Sequence, residues 1–536
     1  MKNSKQLLGE SSVILVVTTI LTKTISAIFK LPLASDAFLG EVGFGYFSVA
    51  HDLFMPFYLL AISGLPAALS KITAENLAKK NFLQVKNNFF TARRLFILLG
   101  IAFSLLLSLF SIPLVLSKGS VNSIYSVLAV LPSVFFCFLI SVYRGYFEGF
   151  SNMYPSAISK IIDSLSKLCL GLIFSFVVIR LTNDPALAAG AAMLAVSLAT
   201  LVSILYLHLK FKRNNPLDKL KFEKEESFTP LTIKALFVLA IPFVIASLAS
   251  SVVSVIDVFT VNLKLSNADN EYLSVLNAMY NNGGALQNQI GFDMAAYLYG
   301  VKSKAFAIYH LIPTVTMSLG VAALPIISTA VIEKDNAALK DNTQYLIKIL
   351  SSIAFPAAIG LFVLAGPIMK LLYSSNDPLS GNLLSIYAFT ALFSAFVVPF
   401  TTLLQALNKH YSALIHIIIG VLIKIVVNVI LVMVPTVNIY SAPIGTLACY
   451  AYISISFFVL LKRSVKKLAI FKTVLKPLFA ALICGGVAFL ISNFASNSVV
   501  TVIAIFAAIL VYITMLALFR TFTKTEIYNL LKIKRK

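Results

Sequence analysis

Fourteen apolar runs, each about 20 residues long, constrain this chain more than any other feature, because that length matches a helix across the hydrocarbon core of a bilayer. They fall near 8–30, 43–66, 94–116, 122–146, 155–180, 185–209, 233–262, 304–330, 345–372, 382–406, 411–434, 441–461, 474–492 and 498–520. The runs are continuous rather than alternating, so they predict helices and not a barrel. Composition agrees: 59% of the 536 residues are hydrophobic and 12% are charged. A soluble chain cannot bury so large an apolar fraction. A soluble enzyme, a disordered chain and a small disulfide scaffold are therefore excluded. The expected fold is an all-α polytopic membrane protein. Its first span, after MKNSKQ, lacks a small-residue cleavage site and reads as uncleaved.

Charge sets the orientation. Lys plus Arg is 43 and Asp plus Glu is 21, a net +22. The basic segments 67–93, 210–234 and 462–476 and the KIKRK tail fall on alternate connections, as the positive-inside rule requires. Both termini are expected to be cytoplasmic. Nearly all of the surplus then lies on that side, which makes it a topology signal. No basic, aromatic-studded soluble segment exists to hold nucleic acid. The four cysteines, Cys137, Cys169, Cys449 and Cys484, sit in apolar runs and form no metal or disulfide pattern.

The charged segment 211–232 separates an N-terminal lobe, 1–210, from a C-terminal lobe, 233–462. Residues 463–536 add the last two spans and the basic tail. A short repeat links the lobes. Leu65-Pro66, followed by Ser70, recurs as Leu324-Pro325, followed by Ser328, an offset of 259 for the Leu-Pro pair. Asn152, Ser156 and Ala157 recur as Asn408, Ser412 and Ala413, an offset of 256. Two six-helix units with an even number of spans share one orientation, so they are parallel repeats around a central cavity. One long external segment, 263–303, is expected to carry an interfacial helix over 285–300 after the NNGG at 281–284.

Polar residues inside the runs are the functional signal, since a charge at mid-bilayer costs about 2.5–3.5 kcal/mol. Ser12, Thr19, Lys23, Ser26 and Lys30 share one face of the first span. Ser156, Lys160, Asp163 and Lys167 share a face of the fifth, where Lys160 and Asp163 are spaced to pair. Ser247, Ser250, Ser254 and Asp257 do so in the seventh, and Ser412, His416, Lys424 and Asn428 in the eleventh. His51 and Asp52 lie in the second. Such stripes either pack helices or line a hydrated cavity. The cations Lys23, Lys30, Lys71, Arg144 and Lys160 are candidates for an anionic ligand such as a pyrophosphate. Asp52, Asp163 and Asp257 are candidates either for a coupling cation or for support of a neighbouring lysine. There is no GxSxG, Walker A or HExxH motif, and the five histidines (51, 208, 310, 410 and 416) have no ligand spacing. No catalytic residue, metal set or cofactor is predicted. A coupling cation or the membrane potential would supply the drive.

Lys23-xx-Ser26-xxx-Lys30-x-Pro32-Leu33, Gly43-Phe-Gly45-Tyr46 and Ser63-Gly64-Leu65-Pro66-Ala67-Ala68-Leu69-Ser70-Lys71 resemble the polysaccharide-exporter branch of the MOP superfamily, in its SpoVB/MurJ-like group. Tyr143-Arg144-Gly145-Tyr146-Phe147-Glu148-Gly149, followed by Asn152-Met153-x-Pro155-x-Ala157-Ile158-Ser159, resembles a second signature of that group. Leu311-Ile-Pro313 through Leu324-Pro325-x-Ile327-Ser328 resembles its eighth-helix pattern. The resemblance implies fourteen helices, a central cavity and flipping of undecaprenyl-pyrophosphate-linked sugars across a bacterial plasma membrane, with lipid II the best-known cargo. Lipid-linked oligosaccharide, membrane lipids and cell-wall synthesis proteins are the implied partners. Its pyrophosphate contacts map to Lys23, Lys30 and Lys71. The group commonly has Arg where this chain has Lys30 and Gly where it has Ser26. Gram-negative members carry an Arg where this chain has Ile308, with Lys302, Lys304 and His310 nearby. A flippase for capsule, teichuronic or other repeat units is the alternative, and a multidrug exporter of the same superfamily a weaker one.

Overall fold

The computed structural model describes residues 4–35, 37–116, 121–219, 251–280, 293–374, 377–465, 468–494, 497–523 and 526. All regular structure in them is helical. Eleven of the described helices are long and apolar enough to cross a membrane. They coincide with the second to sixth and the ninth to fourteenth expected spans. Residues 220–250, which hold most of the expected linker and the start of the seventh span, lie outside the described residues, as do 281–292.

The chain divides into two compact units, 1–303 with 428–441 and 304–427 with 442–536. The first contains α1 (Ser4–Leu33), α2 (Gly40–Ala78), α3 (Phe82–Leu116), α4 (Ile124–Gly149), α5 (Tyr154–Thr182), α6 (Pro185–Arg213), a helical segment at 251–266 and α7 (Asn270–Tyr280). It also contains most of α8 (Met294–Tyr309), whose last residues pass into the second unit. There follow α9 (Leu311–Ile332), α10 (Asn336–Val363), α11 (Ala365–Tyr373), α12 (Pro378–Ala406), α13 (His410–Val432), α14 (Ser441–Ser464), α15 (Ile470–Phe494) and α16 (Ser498–Leu518).

Local chemistry explains the helix ends. Between α5 and α6 the chain turns within two residues. Asn183 takes a left-handed φ of 52°, and the Asp184 carboxylate caps Ala186 N ahead of Pro185. Asp377 and Pro378 open α12 the same way. The break between α8 and α9 at His310 follows from Pro313, which has no N–H to offer the carbonyl four residues earlier.

The eighth span therefore differs from expectation. Helix begins at Met294, ten residues before the expected boundary at 304. Residues 294–303 belong to the helix α8, most of it buried in the first unit, so the described part of the helix expected over 285–300 runs on without a break into the expected eighth span. The window missed it because Lys302 and Lys304 lower its hydropathy.

The register of the repeat also differs. α2 ends in a turn with left-handed Lys80 (φ 59°), and α9 ends in the same turn at Lys334 (φ 56°). In the first, Lys80 N donates to Leu77 O and Asn81 N to Asn76 O; in the second, Lys334 N donates to Val331 O and Asp335 N to Ala330 O. These equivalents are 254 residues apart, and so are Gly40 and Met294, the starts of α2 and α8. The Leu-Pro pairs, at 259, are displaced by five residues from this alignment of ends.

Candidate functional site

The signature segments pack on one another. α2 contains a π-turn at Leu60–Gly64, directly before Pro66. In that geometry N–H groups reach back five residues, and Pro66 has none for Ala61. The Ala61 carbonyl instead accepts from the Ser141 hydroxyl of α4 at 2.7 Å. Gly145 lets α4 lie against this turn, since a Cβ there would stand 2.8 Å from Pro66 O. The same packing buries Arg144, which is 5% exposed. Its Nε donates to Ser159 Oγ at 3.0 Å, and its Nη2 has no hydrogen-bond partner among the described residues.

α2 also meets α8 closely. A Cβ on Gly45 would collide with the Ala296 carbonyl, and one on Gly300 with the Glu41 carbonyl. This glycine-mediated crossing is the membrane solution to bringing two backbones together. It carries Lys302 into the interior, 1% exposed. The Lys302 ammonium lies 3.2 Å from Asp257 Oδ2 and 3.8 Å from Asp52 Oδ2. It stands 4.2 Å from the centroid of the Tyr299 ring, one turn back on its own helix. Tyr299 donates its hydroxyl proton to Asp52 Oδ2 at 2.7 Å. Asn428 Nδ2 donates to Asp257 Oδ1 at 2.9 Å and to Thr260 Oγ1 at 3.0 Å. His51 Nδ1 is 3.7 Å from Asp52 Oδ1. Two of the three predicted carboxylates, Asp52 and Asp257, thus meet on a lysine that was not among the predicted site residues. The third, Asp163, stands apart. It accepts from Lys167 Nζ at 2.7 Å and Thr200 Oγ1 at 3.1 Å. Its ion-pair partner is Lys167, one helical turn on, rather than the Lys160 expected from i, i+3 spacing.

The predicted cations separate into three places. On α1, Lys23 is exposed and Lys30 half-buried. Neither has a carboxylate within ion-pair distance among the described residues, though Lys30 feels Asp52 and Lys23 feels Lys167 electrostatically. Lys160 lies within the field of Arg144 and Glu148. Lys71 sits 19 residues beyond Asp52 on α2, roughly 28 Å along a helix axis. It is exposed and 3.9 Å from Glu75. Lys23, Lys30 and Lys160 have no carboxylate at ion-pair distance among the described residues, and Lys23 is the most exposed of the three.

Eleven helices long and apolar enough to cross a membrane, with a buried ion cluster held by α2, α8 and the 251–266 segment, define a polytopic membrane protein. The family model described as "Polysaccharide biosynthesis protein" matches residues 8–331, and one described as "MatE" matches 299–430. The chain belongs to the polysaccharide biosynthesis protein family. It is 24% identical to stage V sporulation protein B of Bacillus subtilis, over 98% of each chain. It is 23% identical to the lipid II flippase MurJ of Bacillus subtilis, over 87% of each chain. A solved structure of a lipid II flippase MurJ, in an inward closed conformation, is similar with a TM-score of 0.62 at 18% identity, over 94% of this chain and 98% of the other.

Proposed function

We propose that this protein flips an undecaprenyl-pyrophosphate-linked saccharide from the inner to the outer leaflet of a bacterial plasma membrane, with both termini cytoplasmic. Lipid II is the preferred cargo. The observation that carries the reading is the pair Lys23 and Lys30 on α1, accessible and without carboxylate partners among the described residues. A pyrophosphate supplies the missing negative charge, and a lysine holds it as a point charge without imposing a fork geometry. Lys71, Lys160 and Arg144 serve as later or flanking contacts for the same headgroup. The lobes 1–210 and 233–462 alternate access, while the polyprenyl tail stays in lipid beside α15 and α16. A relative named as a lipid II flippase supports this cargo class. The family's description also supports a second reading, the flipping of repeat units for another polysaccharide, in association with other cell-envelope synthesis proteins.

Expression in a bacterium depleted of its own lipid II flippase tests the cargo. Restored growth is the expected result. No rescue despite normal membrane levels would refute lipid II as cargo and move the assignment to the second reading.

A further inference from the structure

The Lys302 cluster is built unlike the α1 lysines. Its two carboxylates come from α2 and the 251–266 segment, and its ammonium comes from α8. Asp257 is fully buried, and Asp52 is 8% exposed. Two buried carboxylates converging on one point make a cation site, and oxygen-rich surroundings suit a hard monovalent ion as well as an ammonium. The described oxygens include both Asp257 oxygens, Asp52 Oδ2, Thr260 Oγ1 and the buried Asn428 Oδ1, which has no hydrogen-bond partner among the described residues. Asp257 also immediately precedes the π-turn Val258–Asn262, a feature that recurs at functional sites.

We propose that Lys302 is a built-in counter-ion: its ammonium fills a cation site between Asp52 and Asp257 that a free sodium or potassium ion would otherwise occupy. Tethering gives the ammonium a local concentration that free ions cannot match. The Tyr299 ring face adds a cation–π contact that favours an organic ammonium over a hydrated metal ion. The protein therefore holds its own cation through the transport cycle, and neither folding nor flipping depends on which alkali ion is supplied. The transport part of this inference deepens the flippase reading and rests on it; the ion-binding part does not.

Thermal unfolding of the purified full-length protein in sodium, potassium and choline chloride at equal ionic strength tests the ion-binding part without any cargo. The wild type is expected to unfold at the same temperature in all three. Lys302→Ala should unfold earlier in choline and recover saturably with sodium, and also with ethylammonium. Lys302→Met with Asp257→Asn should be indifferent to all of them, because one charge of each sign has gone. Lys302→Arg should resemble the wild type. A sodium-induced rise in the wild type that Asp257→Asn abolishes would overturn the proposal, since a mobile ion would then share the site. So would a folded Lys302→Ala that ignores every cation. If Lys302→Ala does not accumulate, the double variant and Lys302→Arg decide, and instability of both would show that packing rather than charge sets the role. Failure of the wild type in the depletion strain would count against the cargo and leave these unfolding results untouched.

Discussion

Two groups of lysines in the first unit, those of α1 and that of α8, differ in whether a carboxylate holds them. Lys23 and Lys30 on α1 have no carboxylate at ion-pair distance among the described residues, so their charge is available. Lys302 on α8 is already held by Asp257 and Asp52. A lysine in a transmembrane run is thus not by itself a ligand site. The counter-charge brought to it by other helices decides whether its charge stays available or is spent inside the protein.

The contrast can be broken hardest at Lys302. Removing the ammonium leaves buried carboxylates uncompensated, which costs about 3–5 kcal/mol. Lys302→Met should show that loss in unfolding measurements without added alkali ions, and Asp257→Asn beside it should restore much of it. An unchanged stability would mean that the cluster is solvated. At Lys23 the expected loss is of function. Lys23→Ala should abolish complementation at normal protein level, matching about 1.5–3 kcal/mol for a charge-assisted contact to the headgroup. Lys23→Arg should keep most of it, and full activity of the alanine variant would remove Lys23 from the site. Gly45→Ala tests how Lys302 is delivered. Its methyl would push α2 from the Ala296 carbonyl, with an expected cost of about 1–3 kcal/mol in unfolding measurements.

The smallest effect is expected in the second unit. There Lys348 on α10 donates to Glu526 at 2.7 Å. Burial alone would raise the Glu526 carboxyl, but the Lys348 and Thr523 donors outweigh it and hold it below the usual range. A carboxyl depressed in the folded state stabilises above its unfolded pKa, about 4.3, and loses that contribution as pH falls through the lower folded value. Glu526→Gln should cost less than about 1 kcal/mol near neutral pH and nothing in strong acid. A cost that grows on acidification would contradict the pairing.

Much of this was legible in the chain. Eleven expected spans recur as described apolar helices, because segment hydropathy is a local property. The Lys23 and Lys30 stripe was legible because residues seven apart share a helix face. The continuity of α8 was not, since Lys302 and Lys304 lower the hydropathy between the helix expected over 285–300 and the span expected from 304. A sharper signal was present: Gly300 within an otherwise helical apolar stretch, and Gly45 in the second span, mark a close helix crossing. Spacing alone lets Asp163 meet either Lys160 (i, i+3) or Lys167 (i, i+4); only the folded chain shows Lys167 and Thr200 on α6 as its partners.

The sequence by itself determined that this is a multi-helix membrane protein, how its family signatures are spaced and which helix faces are polar. These depend on length, hydropathy and helical period, all set within about twenty residues. Only the tertiary structure decided which charges are spent and which are free. Asp52, Asp257 and Lys302 are separated by up to 250 residues, and ion pairing falls off over a few ångströms, so only the packing of α2, the 251–266 segment and α8 could bring them together.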